Sequence, residues 1–137
     1  MFYPKKVNFK KSHKNFHKAK ENKMLLLSKG VFGLKSIENK ELNFKQIESV
    51  KKTFLKKSNR QIKIWVNIFP HFPKTKKPLE SRMGKGKGNF DYWYFFVKTG
   101  RILFEFDSFN NQKLDFIIYK NMTKKLPVKT IIVFKNF

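Results

Sequence analysis

The sequence predicts an α+β domain, a two-layer α/β sandwich with two helices packed on one side of a mainly antiparallel sheet. Three observations predict it. Residues 61–69 alternate, with Ile62, Ile64, Val66 and Ile68 on one face and Lys63, Trp65, Asn67 and Phe69 on the other, which is the period-two pattern of a strand. Phe44, Ile47, Val50 and Phe54 recur at helical spacing, as do Leu114, Ile117, Ile118 and Met122. Residues 90–97, 102–106 and 128–134 are aromatic and β-branched runs with strand composition.

The elements follow in order. Residues 1–20 carry seven lysines, two histidines and no acid, and read as a basic arm that orders on a polyanion. Phe2, Tyr3, Phe9 and Phe16 are spaced through it, placed to stack on bases or fill surface pockets. Residues 21–137 form one globular domain. Residues 24–27 and 31–37 are short apolar runs punctuated by Gly30 and Gly33, and both read as strands. Asn43 followed by Gln46 makes a capping box, starting an amphipathic helix with a basic outer face of Lys45, Lys51, Lys52, Lys56 and Lys57. Pro70, Pro73 and Pro78 end the strand at 61–69 and open a long connection, residues 70–89, of a size uncommon in a small domain unless it has a function. Thr99-Gly100 between two strand-like runs predicts a hairpin. The second helix spans about residues 111–126 and stops at Pro127. Trp65 and Trp93 sit in strands, where core packing is the default and base or sugar contact the alternative.

Charge decides the partner class. Against 32 Lys+Arg stand 9 Asp+Glu, a formal net charge of +23 in 137 residues. No core needs that excess, and its self-repulsion disfavours a compact free monomer. A polyanion that neutralises the surface explains it, and nucleic acid is the usual one. An anionic membrane is the weaker alternative; it would want a basic amphipathic helix or a lipid signal, no lipidation motif is found, and the apolar runs are too short to span a bilayer. The absence of cysteine excludes disulfides and thiolate metal sites. His13 and His17 are four apart but have no acid beside them, so no metal and no cofactor is expected. The acids show no paired spacing and no nucleophile–base signature is found, so the chain is read as not an enzyme. The basic set is nearly all lysine, and Arg60, Arg82 and Arg101 stand out as positions where the planar fork of guanidinium is needed. Heavy use of Lys, Phe, Asn and Ile points to an A/T-rich coding genome.

The most informative stretch is residues 82–93. Three glycines alternate with two lysines behind Arg82 and before an aromatic run. Backbone without Cβ can come very close to a partner, and the interleaved cations say that the partner is anionic. No Ser/Thr follows the lysine and no helix follows the loop, so it is neither a Walker loop nor a dinucleotide fingerprint.

Two blocks carry a family resemblance. Arg60-Gln61, Lys63-Ile64-Trp65-Val66 and Ile68-Phe69-Pro70 form the first, and Arg82-Met83-Gly84-Lys85-Gly86-Lys87-Gly88 with Trp93 the second. Supporting matches include Pro4-Lys5, Phe9, His13-Lys14, Phe32-Gly33-Leu34-Lys35, Gln46-Ile47-Glu48, Lys77-Pro78-Leu79 and Lys125-Leu126-Pro127-Val128-Lys129-Thr130. On these residues the chain resembles the universal large-subunit ribosomal protein L sixteen family, of bacterial and organellar type. It departs at Ile62, where a small residue is usual, at Asn67, where a basic one is, and over residues 15–30.

The resemblance implies a structural constituent of the large ribosomal subunit in translation, a ribonucleoprotein component. It implies binding to large-subunit rRNA near the A site and the peptidyl-transferase region, help in positioning A-site tRNA, contact with neighbouring large-subunit proteins, and neither a membrane nor a homo-oligomer. The expected rRNA-binding residues are Lys5, Lys6, Lys10, Lys11, His13, Lys14, Lys18, Lys35, Arg60, Lys63, Lys76 and Lys77. The loop expected to reach the functional centre is Arg82, Met83, Gly84, Lys85, Gly86, Lys87, Gly88 and Asn89. The start aligns with the bacterial-type start and, with the composition, leads to the expectation of an organelle-encoded protein of the mitochondrial matrix, with a plastid or an A/T-rich bacterium as alternatives. The competing function is a free-standing RNA-binding protein or RNA chaperone.

Overall fold

The structure, a computed structural model, describes residues 3–13, 20–107 and 112–135. Its strands are β1 (Phe32–Ser36), β2 (Lys40–Asn43), β3 (Ile64–Val66), β4 (Phe72–Lys76), β5 (Asn89–Val97), β6 (Ile102–Phe106) and β7 (Thr130–Phe134). Helix α1 (Phe44–Lys57) follows β2, and α2 (Gln112–Thr123) precedes β7. The α+β class is as expected, but the strands divide into two antiparallel sheets, one of order β3-β6-β1-β7 and one of order β2-β5-β4.

Helix α1 begins as its sequence dictates. The Asn43 side chain accepts from Lys45 N, and the Gln46 side chain accepts from Asn43 N, which satisfies donors that a helix start leaves open. Ile47, Val50 and Phe54 are buried and face β2, β5 and α2. The apolar row at 62, 64, 66 and 68 also faces the core, with Ile62 and Ile68 buried and Ile64 and Val66 packed against them, although only Ile64–Val66 pairs as a strand. Trp93 is buried and Trp65 half-buried, in line with packing.

Several expectations need correction. Lys40–Asn43, unremarkable in sequence, pairs with β5 through residues 94–97. The connection at 70–89 contains β4, with Pro73 tolerated because β4 is an edge strand. Asn89 is the first residue of β5 and pairs with Lys76, so the open loop is residues 77–88. The hairpin expected at Thr99-Gly100 does not form. The chain turns there, with Arg101 N donating to the Lys98 carbonyl at 3.2 Å, and passes from one sheet to the other, so β5 and β6 do not pair. On α2, Ile118 and Met122 are buried but Ile117 is exposed, since it lies one residue off the inward row; the side chain of Leu114 is outside the described residues.

Residues 24–27 are not a strand. They belong to a segment that lies over β6, where Ile102 N donates to the Met24 carbonyl at 3.1 Å. Gly30 lets it close in, because a Cβ there would stand 2.6 Å from the Phe106 carbonyl oxygen. The segment is fastened to a fully buried carboxylate, Glu105 of β6. Its Oε2 accepts from the backbone N–H groups of Ser28 (3.1 Å), Lys29 (2.7 Å) and Gly30 (2.9 Å), and its Oε1 from the Asn67 amide (2.5 Å). Nearby, Arg101 Nη1 donates to Glu21 Oε2 at 2.8 Å and Nη2 to the Asn67 carbonyl at 3.2 Å, with the guanidinium 5.1 Å from the Phe95 ring centroid. Arg101 uses its fork inside the protein.

Burial alone would raise the pKa of the Glu105 carboxyl, but the N–H groups of Gly30 and Lys29, the Asn67 amide and the Ser28 N–H outweigh it and hold it below the ordinary value. Burial likewise opposes ionisation of Glu21, and Arg101 with the N–H groups of Lys23 and Asn22 reverses it. A carboxylate whose pKa is lower folded than unfolded stabilises the fold above the unfolded pKa, and that contribution is lost as pH falls through the folded one. Glu105→Gln is therefore expected to lower unfolding free energy at neutral pH by about 2–3 kcal/mol. Below about pH 4.3, wild type should lose stability more steeply than the variant, so that the gap narrows. Denaturant titrations at several pH values check this, and a gap that stays constant into acid would refute it.

Candidate nucleic-acid interface

Strands β4 and β5 make a two-stranded arm of the smaller sheet, and residues 77–88 are the loop that joins them. Its base is set by a close approach. A Cβ on Gly88 would lie 2.5 Å from the Lys76 carbonyl oxygen and 2.8 Å from Lys77 N, so the returning chain can pass this near only without a side chain. At the tip, Gly84 (φ 103°), Lys85 (φ 52°) and Gly86 (φ 84°) are all in the left-handed region. Two glycines ease that path, but Lys85 adopts it as a non-glycine residue. Lys77 Nζ donates to the Gly84 carbonyl and ties the tip to the base.

Residues 78–87 are all exposed, Met83 at 99% and Leu79 at 93%, so every side chain of the Arg82–Lys87 run is available to a partner. The acids close by are Glu80 in the loop and Asp91 in β5, both exposed. Elsewhere three exposed or half-buried glutamates are engaged with the scaffold. Glu41 pairs with Lys74 at 2.5 Å, and this hydrogen bond is the main reason that the Lys74 pKa is raised. Glu48 pairs with Lys52 at 3.1 Å, and Glu38 accepts from Lys129 N.

The structure brings part of the expected set together. The described stretch of the arm, residues 3–13, has no helix or strand and lies against the domain, with the Tyr3 ring 5.5 Å from that of Phe44. Lys10 Nζ stands 5.9 Å from the Phe90 ring centroid, and Lys11 Nζ donates to the Lys87 carbonyl at 3.4 Å. Lys10 and Lys11 thus join Lys76, Lys77 and Lys87 at the base of the loop. Lys5, Lys6 and His13 are exposed on the same arm, whereas Lys14, Lys18 and His17 fall outside the described residues. Arg60 is in a different place. It lines an open groove of about 530 Å³ with Lys52, Leu55, Lys56 and Asn59 at the end of α1, and Lys63 follows just before β3. Lys35 is half-buried in β1, with its chain beside Gly100, and belongs to neither group.

Sequence reasoning missed Phe90 as the ring beneath Lys10, and it put Lys52 and Lys56 on an outer face without seeing the groove. Among the described residues no group of three or more His, Asp or Glu could hold a metal, and no helix is long and apolar enough to cross a membrane.

An exposed, cation-rich loop and arm, on a scaffold most of whose described acids are engaged within it, make this a strongly basic α+β protein with an open cationic surface. The comparisons are more specific. The family described as ribosomal protein L16p/L10e matches residues 4–133, nearly the whole chain. The large ribosomal subunit protein uL16 of Buchnera aphidicola subsp. Cinara cedri is 43% identical over 137 residues, covering 98% of each chain. The uL16 of Wigglesworthia glossinidia brevipalpis is 40% identical, covering 98% of each, and that of Leptospira biflexa 38%, covering 99% of this chain and 98% of its own. The chain belongs to the ribosomal protein L16p/L10e family. It is a structural protein and not an enzyme.

The loop geometry can be tested without any partner. Gly88→Ala must push apart two stretches of backbone and is expected to cost about 2 kcal/mol, whereas Gly84→Ala meets no neighbour and should cost about 1 kcal/mol from its backbone angle alone. Thermal unfolding of the two variants gives the order, and Gly84→Ala as the more damaging would contradict it.

Proposed function

We propose that this chain is a structural constituent of the large ribosomal subunit, that it binds large-subunit rRNA near the A site and the peptidyl-transferase region, and that it helps to position A-site tRNA. The observation that carries the reading is the Arg82–Gly88 run, exposed from Arg82 to Lys87 at the end of the β4–β5 hairpin, with few acids beside it and open space around Gly84 and Gly86. Lysine ammonium groups of the arm and loop replace counterions around phosphates, which makes binding strongly salt-dependent. Folded RNA is read by shape, stacking and backbone contact, and an exposed Arg82 can fork onto a phosphate or a base edge. The division of the chain into an arm at 1–20 and a domain at 21–137 belongs to this proposal, as do contacts with neighbouring large-subunit proteins and the monomeric state.

The ribosome would be of bacterial type, as the relatives named above are bacterial. A mitochondrial location is the finer part of the proposal and is supported by composition. Mass spectrometry of purified large subunits from mitochondria, plastids and cytosol, after a high-salt wash, tests both parts. Retention in the mitochondrial particle alone is the expected result. Absence from every large subunit would favour the free-standing RNA-binding protein.

Within a ribosome, Arg82→Ala is expected to slow translation while subunit profiles stay near normal, and removal of residues 1–20 to reduce assembled subunits. Equal assembly loss in both would defeat that assignment of roles.

A further inference from the structure

We propose that the arm and the loop form one RNA-backbone site, in which a single short phosphodiester segment is held jointly by Lys10, Lys11, Lys77 and Lys87. The proposal rests on the RNA-binding reading above and says which cations act on the same stretch of RNA. Its basis is a reciprocal contact. Lys11 Nζ of the arm donates to the Lys87 carbonyl of the loop at 3.4 Å, and Lys87 Nζ donates back to the Ser12 carbonyl of the arm. Lys10 lies over Phe90, the second residue of β5, and Lys77, which lines a groove with Phe90, holds the Gly84 carbonyl.

Four lysines thus stand around one loop and the arm that lies against it, although like charges repel. Among the described residues none of the four has an ion pair with a carboxylate; Asp91 lines a groove with Lys76, Lys77 and Phe90, and Glu80 is in the loop. Backbone carbonyls alone hold Lys11, Lys77 and Lys87 in place. Each carbonyl engages one of three ammonium protons, which leaves the others free to donate to phosphate oxygens. The patch is therefore pre-arranged and undercompensated: a bound phosphate relieves the repulsion and strengthens the arm–loop contact at once. Two cations from segments more than seventy positions apart then become one site, and losing either should weaken the hold of the other.

The test uses the full chain and pentauridylate RNA, with amine-reagent labelling of individual lysines read by mass spectrometry across an oligonucleotide titration. Lys11 and Lys87 are expected to become protected together, with a common midpoint. Lys87→Ala should raise the Lys11 midpoint roughly tenfold. Lys87→Arg, which retains the cation and its donors, should leave it within roughly twofold. Separate midpoints in wild type, or a Lys11 midpoint unmoved by Lys87→Ala, would show that arm and loop bind independently, and would overturn this proposal while the RNA-binding reading stands. Protection of neither lysine at saturating oligonucleotide would overturn both.

Discussion

The Glu105 carboxylate is the interaction on which the scaffold depends. It sits in β6, a central strand of the four-stranded sheet, and every residue of that strand is buried. An ionised group placed there would be very costly in isolation. Here it collects three consecutive backbone N–H groups from residues 28–30 and the Asn67 amide beside β3, so one side chain ties the N-terminal segment, β3 and β6 together. Asn67 belongs to this internal network through both its side-chain amide and its carbonyl. Glu21 with Arg101 repeats the device at the other end of the same strand.

Charge is sorted by this arrangement. The few acids of the chain include two that are buried in structural roles and three more that engage Lys74, Lys52 or the backbone of Lys129. Cations of the loop and arm, in contrast, meet backbone carbonyls or solvent. The protein therefore commits most of its negative charge to its own contacts, and the loop and arm, with Glu80 and Asp91 as the acids close by, present a surface dominated by cations. That division links the composition to the proposed role more directly than the net charge does.

Much of this was legible in the residues. Asn43 and Gln46 announced the start of α1, the alternation from Ile62 to Ile68 announced a strand there, and the alternation of Gly and Lys announced a loop open to a partner. What was not legible shares one cause: it depends on residues far apart in sequence. Thr99-Gly100 has the local chemistry of a hairpin, but β5 finds better partners in β2 and β4 and β6 in β1 and β3. The leucines at 25–27 look like a strand, yet their segment is claimed by hydrogen bonds to Glu105 and to the β6 backbone. Lys40–Asn43 carries no strand signal of its own and is defined by residues 94–97. The pairing of Lys11 with Lys87 is of the same kind.

The strand order also bears on how the chain is made. In the four-stranded sheet β1, at residues 32–36, lies between β6 and β7, at residues 102–106 and 130–134. As synthesis proceeds from the N-terminus, β1 emerges with neither neighbour available and must wait first for β6 and then for β7. Closing such long intervals is entropically costly and slow, and the waiting chain exposes unpaired strand edges and apolar surface. With its lysines already present, the nascent chain would bind polyanions before it could complete its sheet. On the proposed rRNA-binding role, folding and the first encounter with RNA overlap in time.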